Sequence, residues 1–140
     1  MKQAYPTFIA EYKGDFLVYV PDMEIYTEGK DMADAIEMAR DAIGLKGISF
    51  EDDGRVLPLP STVDVALEKA KEDTEVFDYS TGVLTFVDID FSEYRKRMDN
   101  KAVRRNVTLP NWLNVEVEKA HINVSRVLQE ALMAKLNVSR

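Results

Sequence analysis

The chain has 140 residues, no cysteine, one histidine and a net charge of −7, with 46% hydrophobic and 31% charged residues. That composition suits one ordinary core or two very small ones and excludes a disordered tail or a large multidomain enzyme. It also removes disulfide frameworks, thiolate nucleophiles and cysteine-ligated metal sites, and one histidine leaves little zinc chemistry. No stretch approaches the roughly 20 apolar residues of a bilayer-spanning helix, and Met1–Pro6 lacks the apolar run of a signal peptide, so the expected setting is the cytoplasm, without membrane contact.

Tyr5 to Tyr12 and Phe16 to Val20 are rich in aromatic and β-branched types, with turn chemistry at Lys13-Gly14-Asp15 between them, and predict a β-hairpin. Pro21-Asp22-Met23 interrupts, and a short strand through Ile25 and Tyr26 follows. Asp31 caps a helix whose buried face is Met32, Ala35, Ile36, Ala39 and Ile43, and Gly44 ends the pattern. Ser61 caps a second helix over roughly 62–71, and Val83 to Phe91 reads as a strand covered at least in part on both faces. Glu51-Asp52-Asp53-Gly54 is a turn, since it lacks the alternating ligands of a calcium loop, and Gly29-Lys30 lacks the flanking residues of a phosphate-binding loop.

Charge divides the chain near Tyr94. Up to that residue there are 21 Asp+Glu against 8 Lys+Arg, and beyond it 10 Lys+Arg against 4 Asp+Glu. Fields of −13 and +6 point to two modules with different partners. The expected organisation is an acidic α+β domain over 1–94, a linker at 95–101 within Ser92 to Lys101, and a basic module over 102–140. In that module, Val103 to Leu109 reads as a strand stopped by Pro110. Asn111 to Ile122 reads as an amphipathic helix, Asn123 as its left-handed break, and the stretch from the Ser125 cap to Leu136 as a second helix. His121 is a packing residue, because no second histidine or cysteine exists to join it in a metal or catalytic site.

About 40 residues with one strand and two helices cannot close a core alone, and a lone strand leaves its edge open. Pairing the strand with that of a second copy as an antiparallel ribbon over four helices solves both problems, and the ribbon's outer face fits the DNA major groove. Arg104-Arg105-Asn106-Val107-Thr108-Leu109-Pro110 and Asn123-Val124-Ser125-Arg126 resemble the strand and inter-helix turn of ribbon-helix-helix repressors. Alternation places Val107 and Leu109 inward and Arg104, Asn106 and Thr108 outward toward base edges, while the amides near Ser125 and Arg126 are placed to hold a phosphate. Trp112, Leu113, Val117, Leu128, Leu132 and Leu136 complete the expected dimer core. Arg105 departs from the pattern, occupying an inward position usually filled by an aliphatic residue; it sits at the ribbon's frayed start or reaches a phosphate.

With this module behind it, the first half resembles the HicB-type antitoxins of bacterial toxin–antitoxin operons. The resemblance runs through the opening hairpin, Pro21-Asp22-Met23, Tyr26-Thr27-Glu28-Gly29-Lys30, the helix around Asp34-Ala35-Ile36-Glu37-Met38-Ala39, and Leu57-Pro58-Leu59-Pro60-Ser61. It implies a partial RNase H-like sheet-and-helix domain that masks a HicA-type ribonuclease toxin. It also implies a ribbon-helix-helix dimer, or a higher even-numbered oligomer, on the operon's own operator DNA. Neither a catalytic residue nor a cofactor or resident metal is expected. The alternatives are a ribbon-helix-helix repressor with a small-molecule-sensing first domain, and a metal-dependent nuclease using Asp88 and Asp90 with Asp22 or Glu24.

Overall fold

The computed structural model describes residues 1–100 and 102–138. The chain forms two compact units, Met1–Lys101 and Ala102–Arg140. The first holds strands β1 (Lys2–Tyr12), β2 (Asp15–Val20), β3 (Ile25–Gly29) and β4 (Val83–Asp90) and helices α1 (Met32–Asp52), α2 (Val63–Glu72) and α3 (Phe91–Met98). The second holds α4 (Asn111–Lys119) and α5 (Val124–Leu136).

The four strands form one antiparallel sheet in the order β3-β2-β1-β4. The hairpin closes as its turn residues require. Tyr12 pairs with Asp15, and Lys13 and Gly14 between them both have positive φ, the conformation of a tight turn that matches strand twist. Alternation along the strands then separates two cores. On one face Tyr5, Ile9, Val18, Val20, Val87 and Ile89 meet Ala35, Ala39 and Ile43 of α1; on the other Phe8 and Tyr19 meet Ala66 and Ala70 of α2 together with Tyr79.

Asp31 caps α1 by accepting a hydrogen bond from the Asp34 N–H at 2.8 Å, as its position predicts. Gly44, however, does not end the helix, which runs on to Asp52. Gly44 and Gly47 are buried where α1 meets α3: a Cβ at Gly44 would stand 2.7 Å from the Tyr94 ring, and one at Gly47 2.1 Å from Phe91 Cε1. These glycines serve close approach rather than termination. The same contact accounts for α3, in a stretch whose polarity reads as linker. Phe91 and Tyr94, one turn apart, are buried against α1, and Arg95 extends from the same helix to Asp52 at 2.9 Å. Lys101, the last residue of the expected linker, lies outside the described residues.

Thr62 rather than Ser61 caps α2, accepting from the Val65 N–H. Ser61 has a different task. Its N–H and hydroxyl both donate to Asp22 Oδ2, at 2.9 and 3.1 Å, while Lys69 Nζ donates to Asp22 Oδ1 at 3.1 Å. Asp22, almost fully buried, thereby ties the turn after β2 to the start and middle of α2. On the α1 side Tyr5 donates its hydroxyl proton to the Pro58 carbonyl at 2.6 Å, holding the extended Pro58-Leu59-Pro60 segment. Burial, and then the negative charge of Asp22, push the Tyr5 hydroxyl up to about 12. The unfolded chain ionises this group near 10 and the folded chain does not, so its contribution to stability is intact below pH 10 and disappears as pH rises through about 12. Urea midpoints should fall across that window, and a Tyr5→Phe chain should lose that part of the decline.

Candidate functional site

In the second unit α4 and α5 carry an apolar stripe and no buried residue. Leu109, Leu113, Val117 and Leu128 are half-buried, whereas Val107, Trp112, Leu132 and Leu136 are exposed, Trp112 by 69% and Leu136 by 71%. Val124, Leu128, Leu132 and Leu136 recur every four residues along α5, so they line one side of the helix. Ile122, Val124 and Val127 add exposed apolar surface that the dimer-core expectation left out. The expectation drew its core from the helix interiors, whereas these residues lie in the connector and the first turn of α5.

Arg104, Asn106 and Thr108 are exposed, as is Arg105, in a segment with no regular secondary structure. The strand expected at Val103 to Leu109 is therefore absent from the single chain. A strand forms only when a neighbour pairs with its backbone groups, and the described residues of this unit supply none. The inter-helix connection also differs in detail. His121, not Asn123, adopts the left-handed conformation, with φ 53°, and it is exposed rather than packed. Asn123 is extended and caps α5 in place of Ser125, its side chain accepting from the Arg126 N–H at 3.1 Å. That bond occupies one of the amides expected to face a phosphate. Ser125 and the Arg126 side chain are exposed, and the Arg126 guanidinium pairs with Glu130 at 3.2 Å.

In the first unit the structure does not assemble the carboxylates proposed as metal ligands. Asp88 pairs with Arg40 at 3.1 Å and Lys2 at 3.6 Å, and the Arg40 hydrogen bond holds its carboxyl below the usual range. Asp90 caps α3 by accepting from the Ser92 and Glu93 N–H groups. Asp22 is committed to Ser61 and Lys69 as described. Among the described residues no three His, Cys, Asp or Glu side chains converge on a common metal position.

Between α1 and α2 lies an open cleft of about 950 Å³, lined by Tyr19, Glu24, Tyr26, Lys46, Phe50, Arg55, Lys69, Glu72 and Asp73 among others. Tyr19 and Tyr26 stack with ring centroids 5.0 Å apart, and Tyr79 lies 5.2 Å from Tyr19. The exposed Tyr26 donates its hydroxyl proton to Asp73, which raises its pKa, with partial burial adding to the effect. Around these aromatic faces the cleft sets Glu24, Glu72 and Asp73 beside Lys46, Arg55 and Lys69, so its lining is of mixed charge. Sequence alone showed the acidic excess but not this convergence, which joins residues from β2, β3, α1 and α2.

Residues 5–136 match the family described as HicB-like antitoxin of bacterial toxin–antitoxin systems. The fold is similar to that of a chain in a toxin–antitoxin complex from Streptococcus pneumoniae, with a TM-score of 0.59 and 22% identity over 96% of this chain and 99% of that one. The antitoxin HicB of Burkholderia pseudomallei aligns with a TM-score of 0.48 and 26% identity over 96% of this chain and 97% of the other. Among curated protein sequences none matches the chain. The match spans both units, and the chain belongs to the HicB-like antitoxin family of bacterial toxin–antitoxin systems.

Proposed function

We propose that this antitoxin acts by binding at two places. The acidic first unit neutralises a HicA-type ribonuclease toxin, and the second unit dimerises as a ribbon-helix-helix module that represses its own operon in the cytoplasm. The observation that carries the second part is that none of the described residues of the second unit is buried, while its helices carry an apolar stripe and are preceded by a polar segment without regular structure. Such a unit gains a core by acquiring a second copy, and the segment at Val103 to Leu109 gains the pairing partner that one chain lacks. Arg104, Asn106 and Thr108 then project from the ribbon with guanidinium, amide and hydroxyl groups for base edges. Val107, Leu109, Trp112, Leu113, Val117, Leu128, Leu132 and Leu136 supply the shared core.

The first part is supported by family membership and by charge. An enzyme that cleaves RNA presents a basic surface, and a partner whose first 94 residues carry −13 both steers toward it and covers it. Mixing the full chain with the product of the adjoining short gene should abolish RNA cleavage, and cleavage that persists at excess antitoxin would exclude neutralisation. For the operator, Arg104→Ala should weaken binding by about 1–3 kcal/mol and flatten its dependence on salt. An unchanged isotherm would remove Arg104 from the contact surface.

A further inference from the structure

β4 lies at an edge of the sheet, bonded to β1 on one side and to no strand on the other among the described residues. The chain itself shows which of its groups point outward. Pro6 has no N–H, so its pairing with Phe86 is a non-hydrogen-bonded one, and the groups directed at β1 belong to Val83, Thr85, Val87 and Ile89. Two other bonds keep the same phase. The Phe91 N–H donates to the Met1 carbonyl at 3.2 Å on the β1 side, and Arg40 Nε reaches the outer edge to donate to the Asp88 carbonyl at 2.9 Å. The outward positions are therefore Gly82, Leu84, Phe86 and Asp88.

Both ends of this outer row are engaged. The Gly82 N–H donates to the Tyr79 carbonyl at 3.0 Å, and the Asp88 carbonyl is held by Arg40. Between them Leu84 and Phe86 each present one N–H and one C=O with no partner among the described residues. Buried or not, such a row is a template for another strand.

We propose that the occupant is β4 of a second copy, paired antiparallel about a two-fold axis at Thr85, so that two four-stranded sheets join into one of eight strands. In this register Leu84 exchanges both backbone hydrogen bonds with Phe86 of the partner subunit, and Phe86 does the same with the partner's Leu84. The four bonds use both backbone groups of Leu84 and of Phe86 in each copy and leave the Arg40 bond to Asp88 in place. Phe86, 51% exposed, comes beside an apolar Leu84. No carboxylate faces another: Asp88 falls opposite glycine and Asp90 opposite serine. The strand is thus self-complementary in hydrogen bonding, apolar contact and charge, which is what an isologous interface demands.

The pairing is separate from the dimer proposed for the second unit, and the full chain tests it by light-scattering mass at micromolar concentration. In the full chain the pairing joins two second-unit dimers, so Thr85→Lys, which places two ammonium groups across the axis, should halve the parent mass. Thr85→Asp should do the same, and an equimolar mixture of the two variants should regain the parent mass. Phe86→Pro removes an outward N–H and no bond to β1, so it too should halve the mass while circular dichroism stays unchanged. A Thr85→Lys or Phe86→Pro chain that is folded and keeps the parent mass would overturn the proposal. So would a lost mass that mixing does not restore, or an unchanged mass accompanied by loss of toxin neutralisation, which would assign the edge to the toxin.

Discussion

A Gly47→Val chain is expected to be destabilised by about 3 kcal/mol, with a correspondingly lower urea midpoint. Valine is a better helix residue than glycine, so at an exposed position in a helix the same change would stabilise. Here the sign reverses because the position of the new Cβ lies 2.1 Å from Phe91 Cε1, and Phe91 is buried with a T-shaped contact to Tyr5 at 6.4 Å. The ring has to leave its place between α1 and the sheet, and α3 loses its anchor with it. Combining Gly47→Val with Phe91→Ala provides the internal check. Once the ring is gone, adding valine should cost under about 1 kcal/mol further, and this non-additivity distinguishes a steric effect from a general weakening of α1. A Gly47→Val chain as stable as the parent would mean that α3 does not dock on α1 through this contact.

In the second unit, Leu132→Asp should reduce operator affinity by at least about 100-fold while toxin neutralisation is kept. Leu132 is 52% exposed within one chain, so the substitution costs a single unit little. In the proposed dimer it buries two carboxylates in the shared core, where an unpaired charge costs several kcal/mol. Trp112 is the single tryptophan and stands 69% exposed, so its fluorescence reports the association directly. The parent chain should show a blue-shifted emission that moves red on dilution, whereas Leu132→Asp should be red-shifted at every concentration. Parent emission that is red-shifted and independent of dilution would argue that the tail does not pair through this stripe.

The features visible in sequence are those decided by local chemistry. Lys13-Gly14 closes the hairpin because both positions take positive φ, Asp31 caps α1 through the backbone three residues on, and Ala35, Ala39 and Ile43 face the core by helical period. The break in charge near Tyr94 is likewise a property of composition. Features that depend on a neighbour across space were read wrongly or not at all. Ser61 resembles a helix cap, but Asp22, 39 residues away, takes both of its donors. Arg95, Lys96 and Arg97 make 91–98 look solvated, while the two rings that bury the helix are legible only beside Gly44 and Gly47.

By itself, then, the sequence determined the opening hairpin, the start and buried face of α1, the division of charge and the family, because turn chemistry, periodicity and composition act over a few residues or over none. The tertiary structure decided the length of α1, the existence of α3, the cleft beside Tyr26 and the outward phase of β4. Each depends on which side chain or backbone group stands opposite, and spacing along the chain does not encode that. The segment at Val103 to Leu109 extends the same rule beyond one chain, since a strand's hydrogen bonds belong to whatever lies next to it.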